Sequence, residues 1–530
     1  MYRTEGRGRY TRRAFTLTLV WAMAAGCSSG GGGGPGPAPA PSGASAPEPA
    51  TSASAPAEPP APTPPAPAPS PPPAPPPPRY AHEWAVSTSG SDSASGTGAA
   101  PFRTITRAIT AAGPGDRITV RAGTYAEHVV IGTGARSGTP EQPVLLQGEG
   151  RPRIVPGATQ MMMVEVSRPG WILDGFDVDA QGQYRIGVGF HGSTEGSALR
   201  ASAVHAGSGP AAVTVSAGAS GVLIENADIH HFWRDGADSH GVAVQPGTSR
   251  VTVRGSRIHD VSGDSVQCIG PEGYSSLPPA DGLVVEGNDL YANRENALDV
   301  KTCKRVVARK NAMHDFLQQS LPGGTAVVIH MSADDVLIED NHIYRVGKAI
   351  ALGGNHVGPV PQRVRIQRNR IHDVQAGTQL PGVGIEVQNS YGARVVGNAF
   401  ARIDLAALSV GNGDGGPTES LRVADNLFDA DLPLVVGGSA PGLSVGPNGF
   451  RPDATFRYKG VGYDYAGWRG LGFAARSWLS AALFASLDTL MPAPGAVDQG
   501  SDEGLPFCGP APDLGWFETG CPAPAEGSPG

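Results

Sequence analysis

Apolar and polar residues alternate along residues 222–430 in short segments that recur at nearly regular spacing. The unit Val222–His230 recurs at offsets of 23 to 32 residues, with later units beginning at Val251, Leu283, Val306, Val336, Val364, Ala393 and Leu421. Each unit reaches a turn bearing Gly or Asn and continues into a second short strand. Units of this length that stack only on their neighbours form a solenoid. The pattern predicts an all-β fold, a right-handed parallel β-helix.

Two positions of the unit carry a restricted set of residues. The sixth position is Asn288, Asn311, Asn341, Asn369, Asn398 and Asn426, and the ninth is His230, His259, His314 and His372 together with Tyr291 and Tyr344. Asn accepts left-handed backbone and can bond its own kind in the next layer, so we expect a ladder at this turn. The recurring histidines are therefore interpreted as structural rather than catalytic.

A second strand of each coil aligns as Gly241–Gln245, Ser265–Ile269, Ala297–Lys301, 327–330 and Gly384–Gln388. Its apolar alternates must face the core, because successive side chains of a strand point to opposite faces. The outward residues are then Gln245, Gln267, Asp299, Lys301, His330, Glu386 and Gln388. With Trp233 from a nearby loop, Gln245, Gln267, Asp299, Glu386 and Gln388 are candidate substrate-binding residues.

Both ends of the solenoid are predicted to be capped. Residues 102–112 have helical apolar spacing and are followed by Gly113-Pro114-Gly115, which predicts a short N-terminal capping helix. Residues 432–530 lose the repeat and carry Trp468, Trp478 and Trp516, which predicts an irregular C-terminal cap. We therefore place the β-helix at residues 80–431.

Composition separates this folded part from the N-terminal region. Gly (75) and Pro (50) are in excess, and residues 28–79 form a Pro/Ala/Gly-rich segment that is predicted to be a disordered linker. The net charge of −8 provides no overall basic field, so a nucleic-acid partner is not expected. We expect a monomer.

Residues 1–27 are typical of an export signal, with several arginines before the apolar stretch 14–25. The ending Ala24-Ala25-Gly26-Cys27 resembles a bacterial lipoprotein signal. This resemblance implies lipidation of Cys27, a membrane anchor, and an outer-membrane lipoprotein that is surface-exposed or periplasmic. The alternative is an ordinary secretory signal and a secreted protein.

The other four cysteines can pair in an exported chain. Cys508 and Cys521 close a short Gly/Pro-rich loop near the end of the chain and form the favoured pair. Cys268 and Cys303 lie one coil apart in the aligned repeat, which leaves a second bridge open.

Lysine is rare in this chain, and three of its five lysines lie within residues 301–310. Arginine serves as a fixed cation, whereas lysine is the basic side chain whose proton can be removed. Six basic residues between Arg294 and Lys310 predict a local positive patch, and neighbouring cations would lower the pKa of a lysine there. Strand alternation directs Lys301 outward, beside Asp299.

Val86–Asp92, Ala100–Ile105, 113–116 and Val120–Tyr125 resemble the opening of bacterial surface β-helix proteins, a group that includes polysaccharide lyases of the pectate lyase and chondroitinase B kind. Residues 296–301 are similar to the segment of calcium-dependent β-helix lyases that carries the lysine base. The resemblance implies that Lys301 is the base, with Arg294 or His330 as a substrate or acid partner. The alternative is a solvated lysine on a sheet face.

Acidic residues precede the outward strands of three successive coils, at Asp235, Asp238, Asp264 and Glu295. A column of carboxylates repels itself unless a cation bridges it, and Ca²⁺ takes oxygen ligands from such clusters. These four residues are the candidate ligands for Ca²⁺. The alternative is a set of solvated loop acids.

The sequence thus favours an exported carbohydrate-active protein, a polysaccharide lyase that acts by β-elimination on an acidic, uronate-containing glycan. One alternative is a non-catalytic surface glycan-binding or adhesin lipoprotein. Another is hydrolysis or epimerisation of a glycan. A hydrolase needs paired carboxylates, and the outward face supplies only Asp299 and the distant Glu386, which disfavours hydrolysis.

Overall fold

The computed structural model describes residues 80–521, apart from residues 158, 217, 270–275, 317–323, 357, 378–379, 415 and 475. The predicted signal at 1–27, with Cys27, and the linker at 28–79 lie outside the described residues. Within the described part of the chain, no helix is long and apolar enough to cross a bilayer.

Three long sheets, each of 14 strands, run side by side through the molecule. Sheet 1 consists of Glu83–Val86, Arg117–Arg121, Val144–Glu149, Trp171–Asp174, Ala198–Arg200, Leu223–Glu225, Thr252–Arg254, Val284–Glu286, Lys304–Arg309, Asp334–Glu339, Arg365–Gln367, Arg394–Val396, Arg422–Ala424 and Ser444–Val445. Sheet 2 consists of Thr124–Ala126, Arg153–Val155, Asp177–Asp179, Ala203–Gly207, Asp228–Phe232, Arg257–His259, Asp289–Tyr291, Ala312–Phe316, His342–Val346, Arg370–Val374, Ala399–Ile403, Leu427–Asp429, Gly449–Phe450 and Trp478–Leu479. Sheet 3 consists of Val129–Ile131, Met162–Val166, Ile186–Phe190, Ala211–Val215, His240–Val244, Val266–Cys268, Leu298–Val300, Thr325–Ile329, Lys348–Leu352, Val383–Val387, Ala406–Val410, Leu434–Val436, Phe456–Tyr458 and Val461–Tyr463.

Each complete coil contributes one strand to each sheet, and strands of successive coils pair in parallel. The last strand of sheet 3, Val461–Tyr463, instead pairs antiparallel with Phe456–Tyr458. In sheet 3, Val242 pairs with Val266 and Val266 with Leu298, and all three side chains are buried in the core. The intervening residues Gln267 and Asp299 pair with each other on the outward side. The predicted right-handed parallel β-helix and the predicted alignment of its coils are therefore confirmed.

The predicted asparagine ladder runs along the turn between sheets 1 and 2. The Nδ2 of Asn311 donates to the Oδ1 of Asn341 at 2.9 Å, and the Nδ2 of Asn341 donates to the Oδ1 of Asn369 at 3.0 Å. Each of these side chains also bonds backbone groups of the adjacent coils, and the ladder continues to Asn448, which the sequence repeat did not include. Buried polar groups are thus paired from coil to coil.

Asn341→Ala is expected to lower the melting temperature, because it removes the acceptor of both Asn311 donors and leaves buried polar groups unpaired. Such a loss costs about 1–3 kcal/mol. Thermal unfolding followed by circular dichroism measures the effect. Gln375→Ala, at an exposed amide side chain, is the control and should leave the melting temperature unchanged. Equal melting temperatures for the two variants would contradict a stabilising ladder.

The recurring His and Tyr side chains form a continuous stack on the outside of sheet 2. Ring centroids of successive members lie 4.6 to 5.4 Å apart, in the order His205, His230, His259, Tyr291, His314, Tyr344 and His372. The structural interpretation of these histidines agrees with this arrangement. Burial, together with electrostatic repulsion from neighbouring histidines of the stack, lowers the pKa of His230 to about 4, so this imidazole is neutral at physiological pH.

The N-terminal helix spans Ile105–Ala111, and the Oγ1 of Thr104 caps it by accepting from the backbone N–H of Arg107. Its apolar residues Ile105, Ala108 and Ile109 are buried against the first coil, as predicted. The solenoid extends beyond the expected boundary at residue 431, because Leu434–Val436, Ser444–Val445 and Gly449–Phe450 still pair in parallel with the preceding coil. A helix at Tyr465–Gly470, a hairpin of Phe484–Ser486 with Met491–Pro492, and a 3₁₀ turn at Pro494–Ala496 follow.

The C-terminal tail folds back along sheet 1 and contacts three adjacent coils. Glu503 accepts from Arg394 at 2.7 Å and also pairs with Arg422, while Arg368 donates to the carbonyl of Pro506. Ser501 donates its backbone N–H to Asp425 at 2.9 Å. The tail thereby spans the coils that begin near Arg365, Arg394 and Arg422.

Both cysteine pairs considered from the sequence are disulfide-bonded. Cys508 and Cys521 join within the tail, with a Cα–Cα distance of 5.2 Å. Cys268 and Cys303 join adjacent coils of the solenoid, with a Cα–Cα distance of 6.2 Å. This second bridge connects the strand of Gln267 to the segment that directly follows the strand of Asp299.

Candidate functional site

The outward face of sheet 3 carries a groove with a volume of about 490 Å³. Its lining includes Thr214, Arg234, Asp238, His240, Gln245 and Ile269. Three of these residues belong to columns that the strand alignment places on the outward face. The groove is therefore formed by the sheet at its floor and by the loop at residues 233–239 on one side.

Arg294 holds this loop in place. Its guanidinium donates to the backbone carbonyls of Arg234 and Ala237, at 3.0 and 2.6 Å, and to the Oδ1 of Asp238 at 2.9 Å. It also lies 5.7 Å from the centre of the Trp233 ring. Arg294 was predicted as a possible acid or substrate partner of Lys301. The structure instead directs its guanidinium to the loop, which makes it a positioning residue.

His240, Asp264 and Glu295 come together at the base of the loop, with potential ligand atoms within 4.8 Å of one another. The Nδ1 of His240 lies 3.2 Å from the Oδ2 of Asp264, and it also accepts the backbone N–H of Asp264 at 3.0 Å. Asp264 is completely buried, His240 is 8% exposed, and Glu295 is half-buried. We call these three residues the His240 cluster.

Asp264 is also the centre of a hydrogen-bond network that extends to the following coil of sheet 3. Its Oδ1 accepts from the backbone N–H and the Nδ2 of Asn296, at 3.1 and 2.7 Å. Its Oδ2 accepts from the Nε2 of Gln267 at 3.0 Å, and the same Nε2 lies 3.4 Å from the Oδ2 of Asp299. Gln267 thereby connects the His240 cluster to the coil of Lys301.

His330 pairs with Asp299, which lies on the preceding coil. Its Nε2 lies 2.9 Å from the Oδ1 of Asp299, and its Nδ1 lies 2.7 Å from the Oδ1 of Asn355. Lys301 occupies the same outward column as Ile269 and His330, because its backbone N–H bonds to Cys268 while that of His330 bonds to Val300. The predicted neighbours of Lys301 are therefore its neighbours in the structure.

The pKa values of His240 and His330 are both raised, and for similar reasons. Burial opposes the charged imidazole of His240, but the contact with Asp264 and the charges of Glu295 and Asp238 outweigh it and raise the pKa. For His330 burial is again opposed by Asp299, and by the contact with Asn355, so that its pKa is raised, although the charge of Lys301 acts against this. Burial, with the negative charges of Asp264 and Asp238, raises the pKa of Glu295 to about 8.

Glu295→Gln is expected to raise the melting temperature by a few degrees more at about pH 8.5 than at about pH 5.5. The Glu295 carboxyl titrates near its ordinary value in the unfolded chain and at about 8 in the folded protein. Folded-state stability therefore falls as the pH rises through this window, since the folded protein holds a proton that the unfolded chain has released. Glutamine has no such proton to lose.

Thermal scans of wild type and variant in the presence of EDTA test this prediction, with Glu149→Gln at an exposed strand end as the control. A difference between the two melting temperatures that stays constant from pH 5.5 to 8.5 would contradict it.

The positive patch predicted for residues 294–310 does not form around Lys301. The chain turns a corner after Cys303, so Lys304–Arg309 lies in sheet 1 rather than sheet 3. There Arg305 pairs with Asp281, and Arg309 lies 3.1 Å from Glu286. The linear cluster of cations is therefore divided between two faces, and this expectation was wrong.

Glu386 and Gln388 lie three strands farther along sheet 3 than Asp299. At about 4.8 Å per strand this separation is about 14 Å. Glu386 is ion-paired with Lys348, and its Oε1 accepts from the Nε2 of Gln388 at 3.1 Å. These two candidate binding residues therefore belong to a distal part of the same face.

The predicted calcium ligands are only partly brought together. Asp235 accepts from the Nε1 of Trp233 at 3.0 Å, and Asp238 is paired with Arg294. Only Asp264 and Glu295 join the cluster, and their third partner is an imidazole. Ca²⁺ takes six to eight oxygen ligands, whereas this cluster offers two carboxylates and an imidazole nitrogen. This donor set does not fit Ca²⁺.

His240 was not among the predicted metal ligands. It stands at the start of a sheet 3 strand, directly after the loop, and its register partner Asp264 stands at the same place one coil later. A sequence signal was present, since His240, Asp264 and Asn296 occupy equivalent positions two residues before an inward apolar residue. The candidate binding residue Gln245 lines the groove, whereas Gln267 is buried one coil farther on, where it donates to Asp264.

Two family descriptions match parts of the sequence. Residues 276–428 match the family described as "Right handed beta helix region", and residues 88–130 match one described as a protein of unknown function (DUF1565). The first match covers the coils of Asp299, Lys301 and His330. A comparison with curated proteins gives no significant match.

Solved structures agree with the fold. A PL6 family alginate lyase, AlyGC, superposes with a TM-score of 0.55 at 14% identity, covering 74% of this chain and 54% of that one. This likeness shows the parallel β-helix fold. Pectate lyase Pel9A matches with a TM-score of 0.46 and 16% identity over 83% of this chain and 97% of its own. PfbA, a surface adhesin of Streptococcus pneumoniae, matches with a TM-score of 0.41 and 10% identity over 65% and 84%.

Proposed function

We propose that this β-helix is an exported carbohydrate-active protein that cleaves an acidic, uronate-containing glycan by β-elimination. The proposal rests on one outward column of sheet 3, in which Lys301 and His330 occupy successive coils. Asp299, on the coil of Lys301, pairs with His330. A basic amine and a positively polarised imidazole in one outward column of sheet 3 are the groups that this reaction needs. The fold shared with polysaccharide lyases agrees with the proposal.

In β-elimination a base removes the proton α to the uronate carboxylate, a C=C bond forms, and the C–O bond to the leaving sugar breaks. Lys301 is assigned as the base that removes this proton. His330, whose pKa Asp299 raises, is assigned to protonate the leaving oxygen. His330 is preferred over Arg294 for this role because the Arg294 guanidinium is engaged by the loop.

Gln245, Gln267 and Asp299 are assigned to bind sugar hydroxyls along the outward face of sheet 3. Gln245 lines the groove, and the register places Gln267 and Asp299 on the two following coils. Glu386 and Gln388 would contact a longer chain farther along the sheet. Strands stack about 4.8 Å apart, a spacing similar to the length of one sugar unit, so successive coils can contact successive sugars.

Export is part of the proposal, with Cys27 as the lipid anchor of an outer-membrane lipoprotein. Two disulfides support an oxidising compartment, because such bonds persist outside the cytosol. The partners are then an acidic polysaccharide and, through the anchor, a membrane. A cell-fractionation experiment with radiolabelled palmitate on wild type and Cys27→Ser tests the anchor, and equal labelling of both would refute it.

Incubation of purified protein with pectate, alginate and glycosaminoglycans tests the activity. The expected product is an unsaturated uronide, which is detected by its ultraviolet absorbance, and each reaction is run with EDTA, with Ca²⁺ and with neither. Absence of unsaturated product from every glycan, in a protein that is shown to be folded, would refute β-elimination.

A second candidate function is glycan binding without cleavage, as a surface adhesin or binding lipoprotein. Trp233 and Tyr184 favour it, since 46% and 48% of their surfaces are exposed. Arg234, which lines the groove, lies 5.6 Å from the Tyr184 ring. Exposed aromatic rings beside a groove are suited to stacking on sugars. Retention on a glycan column without unsaturated product would support this function over the lyase.

A further inference from the structure

The His240 cluster combines features that a sugar-binding groove does not require. An imidazole, a completely buried carboxylate and a second carboxylate converge, with potential ligand atoms within 4.8 Å of one another. The Nδ1 of His240 accepts the backbone N–H of Asp264 at 3.0 Å and lies 3.2 Å from the Oδ2 of the same residue. An imidazole nitrogen has a single lone pair, so an ion bound at Nδ1 takes the place of this N–H contact.

The distances distinguish among cations. Zn²⁺ binds His nitrogen and carboxylate oxygen at about 2.0–2.2 Å, so adjacent ligands of a tetrahedral site lie about 3.3 Å apart. The separation of His240 Nδ1 from Asp264 Oδ2 is close to this value. Glu295 is half-buried, and its carboxylate supplies the third potential ligand of the set. Imidazole with carboxylates suits first-row transition ions, whereas Ca²⁺ prefers oxygen alone.

We propose that His240, Asp264 and Glu295 form a binding site for one first-row transition-metal ion, of which Zn²⁺ is the probe. This site differs in metal class from the calcium that the resemblance to lyases implies. It holds whether the groove cleaves a glycan or only binds it, because the cluster is defined by its own residues.

The potential ligands of the cluster are themselves held by hydrogen bonds, as is usual for metal ligands. Asp264 is oriented by Asn296 and Gln267, which fix the direction of its remaining lone pairs. The Oδ1 of Asn296 is buried and, among the described residues, has no hydrogen-bond partner. Arg294 holds Asp238 at the rim, and Asp238 adds to the negative charge felt by Glu295. His240 and Asp238 both line the groove, which gives an ion a path from solvent.

Isothermal titration calorimetry tests the site, with the purified full-length protein stripped by EDTA and dialysed. ZnCl₂, CoCl₂ and CaCl₂ are titrated separately in the absence of glycan. We expect one Zn²⁺ ion per chain with a Kd of about micromolar or tighter, and binding of Ca²⁺ at least about 100-fold weaker. Bound Co²⁺ should give visible absorption bands typical of a site with few ligands.

His240→Ala and Glu295→Gln are each expected to weaken Zn²⁺ binding at least about 100-fold and to abolish the Co²⁺ bands. His259→Ala, in the ring stack of sheet 2, is the matched control for histidine loss and should leave this Zn²⁺ site unchanged. His240→Asn is a second variant that keeps a polar side chain of smaller size, and melting temperatures verify that each variant is folded.

Zn²⁺ binding that persists unchanged in folded His240→Ala and Glu295→Gln would overturn the proposal, as would Ca²⁺ binding that is tighter than Zn²⁺ binding. If the wild-type cluster binds no ion, the proposal is also overturned, and the contact between His240 and Asp264 is assigned to a proton on His240. None of these outcomes depends on glycan cleavage. A protein that binds Zn²⁺ but releases no unsaturated uronide retains the metal site and loses the proposed lyase function.

Discussion

Lys301→Ala is expected to lower the rate of uronate-glycan cleavage at least about 100-fold, because it removes the group assigned to abstract the α proton. Lys301 projects from the outward column of sheet 3, and its strand is anchored by pairing on both sides with Val266–Cys268 and Thr325–Ile329. The fold should therefore survive the substitution. Initial rates of unsaturated uronide formation at saturating glycan measure the effect on kcat.

Two further variants make this result specific. Lys301→Arg keeps the positive charge but not a removable proton at neutral pH, so it should lose activity nearly as fully as the alanine variant. Lys304→Ala removes an exposed lysine three residues later that lies on sheet 1, and it should cleave at the wild-type rate. An active Lys301→Ala protein would remove Lys301 from the mechanism and leave the base to be sought elsewhere on the outward face of sheet 3.

Phe428→Ala is expected to produce the largest loss of stability, about 3–5 kcal/mol. The Phe428 side chain is completely buried, and its ring lies between Phe400 at 4.9 Å and Phe450 at 5.5 Å. Alanine leaves a cavity in this stack that neighbouring coils cannot fill, because their strands are fixed by parallel pairing.

Urea unfolding followed by fluorescence and circular dichroism measures this loss as a shift of the midpoint. Phe428→Leu keeps most of the volume and should cost less, and Phe517→Ala, at a ring that is 38% exposed, should cost little. Unfolding of the C-terminal coils before the rest is the expected form of the transition, since solenoid coils depend chiefly on their neighbours. Equal midpoints for Phe428→Ala and Phe517→Ala would refute the assignment of Phe428 to the core.

The sequence predicted the central coils well because one residue type recurs there at a fixed place. Asn at the ladder position makes the same hydrogen bonds in every coil, so the repeat is visible without structural information. Earlier coils use Ser instead, as where the Oγ of Ser202 accepts from Phe176, and their period is harder to detect. In the last coils the outward positions of sheet 2 face the C-terminal cap instead of solvent, so apolar and polar residues no longer alternate there. The predicted boundary at residue 431 was therefore too early.

The site was predictable where it depends on strand alternation and not where it depends on loops. Alternation placed Gln267, Asp299 and Lys301 on the outward face, and register pairing put them in the expected order. Asp235 and Asp238 looked equivalent in the sequence, but the loop directs one to Trp233 and the other to Arg294. Spacing along the chain does not specify which way a loop acid points, and it does not show that the chain turns a corner after Cys303.

The returning C-terminal tail limits how this protein can change length during evolution. Its contacts with Arg368, Arg394 and Asp425 are set to the spacing of three adjacent coils. A duplicated coil inserted among them would lengthen that part of the solenoid by about 4.8 Å and separate Glu503 from one of its arginines. Coils added farther toward the N-terminus would shift the tail and its partners together. Homologues of different length are therefore expected to gain or lose coils before residue 360 and to keep the last three unchanged.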